Sequence, residues 1–197
     1  MKTGLFTRAA AVVLVAGALS VATAGTSSAA TASLNITYVC EFSITGTHDV
    51  PTVVTSPNVP DSAAVGVPTA VADTTVSATV SDDIRNTLWW IGGRSVDGTM
   101  TTNVVVDNAG TVQNLTATST IPSTQVPSSG TFQVVATGTL PSLTLANAGT
   151  TTISLGNATL ALTPRYANGD PTWIGTVNSP CTVKAGQATK FHEFTVA

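Results

Sequence analysis

Charge is scarce in this 197-residue chain: Asp, Glu, Lys and Arg together make up 9%, against about 25% in ordinary globular domains. The basic residues are single and scattered, among them Arg85, Arg94, Arg165, Lys184 and Lys190. Nucleic-acid binding requires a clustered basic stripe, so that class of partner is set aside. Histidine is limited to His48 and His192, and cysteine to Cys40 and Cys181. With so few ligands and bases, metal and acid–base chemistry have little to work with. Low charge can signal disorder, but disordered segments are poor in β-branched residues, and this chain is rich in Val, Ile and Thr. Those residues favour strands.

The scarcity of catalytic residue types can be checked one by one. His48 stands beside Asp49, yet neighbours in an extended chain point to opposite faces, so the pair does not form a base and its orienter. His192 lies in the closing strand between Phe191 and Phe194. No Gly-x-Ser-x-Gly elbow occurs, and a disulfide would leave no thiol for nucleophilic catalysis. Among the acids, Asp82 and Asp83 suit the first turn of a helix, and Asp97, Asp107 and Asp170 sit beside Gly or Asn in apparent turns. Glu41 falls on the outer face of the first strand. No EF-hand pattern gathers these carboxylates for calcium. No catalytic residue, metal ligand set or cofactor is assigned, and the expected class is non-enzymatic.

A membrane-length apolar run is also missing. The apolar stretch from Ala9 to Ala22 is shorter than the about 20 residues a spanning helix needs. Lys2 and Arg8 precede it and the small residues TSSAATAS follow, the three-part layout of a secretory signal. Residues 1 to about 30 therefore read as a signal peptide cleaved between Ala29 and Ala32, leaving a single domain over 33–197. There is no twin-arginine pair, and no cysteine stands near the cleavage window to carry a lipid anchor. The expected location is secreted or extracellular, with cell-envelope association open and no stable membrane anchor. Losing Lys2 and Arg8 but no acid moves the net charge from −3 to about −5, ten acids against five bases.

Export suits the two cysteines, because oxidising compartments turn such pairs into disulfides. A Cys40–Cys181 bridge would close a loop of about 140 residues, worth about 2–5 kcal/mol. Two buried free thiols are the alternative; a zinc site needs more ligands than two Cys with no nearby His supply.

Period-two patterning dominates the rest. From Leu34 to Phe42 every second residue is apolar (Leu34, Ile36, Tyr38, Cys40, Phe42), which turns Cys40 toward a core. Pro51, Pro57, Pro60 and Pro68 suggest an edge strand with loops, since proline cannot donate to a ladder. Further strands are expected over residues 70–80, 95–107, 111–121, 131–140, a short piece at 143–149, 151–164, 172–177 and 191–197. Hairpins are expected at Leu155–Leu160 and around Asn168–Trp173. Residues 81–91 differ: Ser81 can cap, Ile84, Leu88 and Ile91 recur at helical spacing, and Gly92 with Gly93 stops the pattern. The expected fold is all-β, an immunoglobulin-like antiparallel β-sandwich with one short helix near residues 81–91 crossing between its sheets.

Three stretches carry a resemblance: TYVCEFSITG with Tyr38, Cys40 and Phe42, the block SGTFQVVATGTLPSLTLANAGTTTISLGNATLALTP, and Cys181 followed by AGQATKFHEFTV. Together they resemble an uncharacterised family of secreted actinobacterial β-sandwich domains. The resemblance implies fold and export, and transfers no catalytic residue.

Aromatic residues offer the one functional signal of weight. Trp90, Trp173 and Tyr166 could stack on sugar faces or other planar ligands; the competing reading places the tryptophans, Trp89 included, in or at the border of the core. The sequence thus supports an interaction or structural module, with a cell-wall polymer or an extracellular protein as partner classes. A carbohydrate-binding module is the alternative, and a secreted enzyme is disfavoured. Three Asn-x-Thr sequons, at Asn35, Asn114 and Asn157, are expected by chance in a chain so rich in Asn and Thr.

Overall fold

The alternation from Leu34 to Phe42 becomes the inner face of β1 (Ala29–Phe42), where Ile36, Tyr38 and Cys40 are buried and Asn35 and Glu41 are exposed. The structure is a computed structural model that describes residues 29–197; the expected signal segment lies outside the described residues up to residue 28. The expected cleavage window, Ala29 to Ala32, falls within β1, and Ala32 is part of the core. Burial raises the Tyr38 phenol to a pKa of about 12, because the phenolate loses its hydration in the interior.

The other strands are β2 (Gly46–Pro60), β3 (Ser62–Ala63), β4 (Ala72–Val80), β5 (Ser95–Asn108), β6 (Thr111–Gln125), β7 (Phe132–Leu140), β8 (Gly149–Arg165), β9 (Val177–Val183) and β10 (Lys190–Val196). Eight of them pair in the closed order β1-β2-β4-β7-β6-β5-β8-β9, with every neighbour antiparallel and β9 returning to β1. The expected two-sheet immunoglobulin-like sandwich is therefore incorrect: the sheet closes into an eight-stranded barrel. The closing strand is β9, which meets Tyr38–Cys40 of β1 on one side and Ala158–Leu162 of β8 on the other. Its sequence, VNSPCTV, holds Asn178 and Pro180, residue types that are depleted in strands. The expected strand at 172–177 is instead turn up to the start of β9. The 143–149 piece forms no strand before Gly149, although Leu143 and Leu145 are buried.

Two further corrections concern local irregularities. The expected edge strand is β2, which lies inside the ring between β1 and β4. Its prolines are tolerated because the β4 ladder covers only Thr52–Thr55. Pro51 faces Thr37, and both backbone groups of Thr37 bond instead to the Gln187 side chain, N–H to Oε1 at 2.9 Å and C=O from Nε2 at 2.6 Å. Thr37 and Pro51 therefore form a pair without mutual hydrogen bonds, and the Pro51 nitrogen is needed by neither neighbour. The expected hairpin at Leu155–Leu160 is a bulge. Thr102 pairs with Ala158 and Val104 with Leu155, so β8 runs on while its outer partner changes from β10 (residues 149–154) to β9 (residues 158–162). Gly-Asn turn chemistry at 156–157 serves this switch, with Asn157 Oδ1 accepting from Val183 N at 3.0 Å. The loop after β8 does turn back tightly, with an isolated bridge between Arg165 and Pro171.

The helix α1 (Asp82–Trp90) forms where expected, with Ser81 as N-cap accepting from Ile84 N, Asp82 and Asp83 in the first turn, and Gly92 at φ 86 after the end. It does not cross between sheets. It roofs the barrel end formed by the termini of β4 and β5, where Ile84, Leu88 and Ile91 face the barrel interior.

Candidate functional site: an apolar cavity beneath the helix

Inward-facing side chains fill the two barrel halves differently. Toward β10, Ile36, Tyr38, Val104, Val106, Ile153 and Val196 are 2% exposed or less, the close packing of an ordinary core. Toward α1 a cavity of about 120 Å³ remains. Met100 of β5, Ile121 of β6, Val134 and Ala136 of β7, and Leu160 of β8 form its walls, and Ile84 and Leu88 form its roof. Ala78 and Ala136 stand where alternation sends a side chain inward, and their small size leaves the space unfilled.

The lining contains no charged residue; its polar members are Ser43, Thr45, Thr87 and Ser179. Two of these carry hydroxyls that are buried without a hydrogen-bond partner, Thr45 Oγ1 and Ser179 Oγ. An unpaired buried hydroxyl costs about 1–3 kcal/mol. Ser179 is fully buried and shares the inner face of β9 with Val177 and Cys181. The Cys40–Cys181 disulfide fixes that strand two residues away.

The expected stacking residues gather at the same end of the molecule. Trp90 is 75% exposed and Trp173 68% exposed, which overturns core burial for both. Tyr166 lies between their segments: a Cβ on Gly92 would sit 2.6 Å from its ring, and its hydroxyl accepts from Trp173 N at 3.3 Å. Trp89 is half-buried under the Arg94 guanidinium, whose carbon stands 3.7 Å from the ring centroid, a cation–π contact.

The sparse titratable groups are used locally. His48 Nε2 bonds to Thr45 O at 3.1 Å and His192 Nε2 to Pro60 O at 2.8 Å. Asp97, expected in a turn, lies in β5 and holds Arg165 through a two-pronged ion pair, which raises the Arg165 pKa, first through the hydrogen bond to Asp97. No motif in the sequence marks the cavity. Its signal would have been Ala78, Ala136 and Ser179 at inward positions among larger apolar residues.

An antiparallel barrel closed by a disulfide-linked strand, with an apolar chamber under a short helix, is the class these features define. The chain belongs to a family of unknown function (DUF6801), whose model matches residues 37–192. That span takes in both cysteines, α1 and every residue that lines the chamber. No curated protein and no solved structure matches the chain.

Proposed function

We propose that the domain is an exported, non-catalytic binding module that holds one small apolar ligand in the chamber beneath α1. The observation that carries this reading is the cavity of about 120 Å³ with uncharged, mainly apolar walls. An engineered apolar cavity of about 150 Å³ stays dry and takes benzene, and eight-stranded barrels are of the size that either fills with side chains or holds one small ligand. Export is supported by the disulfide, which belongs to an oxidising compartment. The barrel's polarity also favours a water-borne module: Met100, Val104 and Val106 point inward, whereas Thr99 and Asn103 are exposed. A membrane barrel carries its apolar band on the outside.

Benzene is a suitable probe. Present at 100 times its Kd, a ligand specific to the folded state stabilises it by about 2.7 kcal/mol. The thermal midpoint should rise with benzene concentration and follow a single-site curve. A midpoint that stays constant or falls across the titration contradicts the reading.

A second reading, a glycan platform, rests on the exposure of Trp90 and Trp173 at one end of the molecule. Flat rings of this kind stack on sugar faces. Retention on cell wall, chitin or cellulose that disappears in Trp90→Ala supports it, and passage of the wild-type protein through all three removes it.

A further inference from the structure

We infer that the chamber's ligand is a neutral amphiphile, a compact apolar body bearing one hydroxyl or carbonyl group, and that Ser179 Oγ is its hydrogen-bonding partner. This deepens the proposed function and rests on it.

Three observations lead to this ligand class. The walls are otherwise apolar, so most of the ligand must be so too. No charged side chain lines the chamber, and a charge buried without a partner is strongly disfavoured, so the ligand is uncharged. The Ser179 hydroxyl has no partner in the protein although the residue is fully buried. Buried hydroxyls are normally satisfied, and a polar group on the ligand would satisfy this one.

The backbone around Ser179 keeps that hydroxyl inside. Ser179 pairs with Leu160 of β8, and two residues later Cys181 is both paired and covalently joined to Cys40 of β1. Strand β9 is thus held from both sides. Alternation sends Val177, Ser179 and Cys181 to the same inner face, where Val177 also lines the chamber. Ser179 exposes none of its surface to solvent. Thr45, the other unpaired hydroxyl of the lining, lies in the turn between β1 and β2. It is the less committed of the two, because turns adjust more readily than paired strands.

Benzene and phenol differ by one hydroxyl and separate this inference from the reading beneath it. Both are titrated against the wild-type protein and against Ser179→Ala, with Kd read from chemical-shift changes of the chamber methyl groups. Removing a hydroxyl that lacks a partner leaves the fold intact, and a thermal scan of the ligand-free variant checks this. The ratio of phenol to benzene affinity should fall about 10-fold in Ser179→Ala, the size of one net hydrogen bond. An equal ratio in the two proteins overturns the role of Ser179, while benzene binding in both leaves the apolar chamber standing. If neither compound binds the wild-type protein, the proposed function itself fails, and the amphiphile with it.

Discussion

Replacing Cys40 and Cys181 together by alanine is expected to lower stability by about 3–5 kcal/mol, or roughly 10–15 °C in the thermal midpoint for a domain of this size. The bridge spans a sequence separation of 141 residues, so its loss restores much conformational freedom to the unfolded chain. Its position adds to the effect. Cys40 and Cys181 face each other in the ladder between β1 and β9, which consists of Tyr38–Val183, Val39–Thr182 and Cys40–Cys181. So short a ladder, on a strand interrupted by Pro180, is a weak join in the ring; the β6–β7 ladder, Ser119–Gly138 and Thr120–Thr137, is shorter still. Urea denaturation measures the loss. Amide exchange should locate it, quickening at Tyr38–Cys40 and in β9 more than along the long β5–β6 ladder. A loss below 1 kcal/mol with uniform exchange would mean that the seam does not depend on the bridge.

Ala136→Phe is expected to do the opposite to stability while abolishing ligand binding. Ala136 is buried, faces inward from β7 and lines the chamber. A void of about 120 Å³ carries a penalty of about 24 cal/mol per Å³, so filling it can recover at most about 3 kcal/mol. Partial filling by one ring, less the strain of fitting it, should leave the variant about 1–2 kcal/mol more stable. Benzene should then no longer raise its midpoint. In a fully packed core the same substitution would destabilise by about 1–3 kcal/mol, so the sign of the change separates a real chamber from a filled one. Gain of stability with loss of function is the usual signature of a site that folding alone would have filled.

Local order was legible in the sequence; closure was not. The inner face of β1, the capped helix at 82–90 and most strand positions follow from period and capping, because those signals are written in neighbouring residues. Whether a set of antiparallel strands forms two sheets or one ring depends on pairing between β1 and β9, whose residues lie about 140 positions apart. Alternation is the same in a sandwich and a barrel. The cue that remained was Cys40 with Cys181, which joined the right strands without saying that a ladder surrounds them. Gly156–Asn157 misled for a related reason: the same turn-forming pair suits a hairpin or a bulge, and only the change of partner along β8 decides.

The site divided in the same way. Trp90, Tyr166 and Trp173 were visible as residue types, and the fold brings their segments together at the α1 end. The chamber was invisible because it is made by what alanine and serine do not fill. Ala78, Ala136 and Ser179 come from three strands distant in sequence, and only ring closure sets them around one space. Both histidines, the first residues one would test for catalysis, bond to backbone carbonyls.

The most direct test of the account is a benzene titration of methyl-labelled protein followed by NMR. The account predicts saturable shifts at Met100, Ile121, Val134 and Leu160, which line the chamber, with Val53 and Val112 on the outside unmoved. Shifts that never saturate, or that appear only at the outer valines, would contradict it.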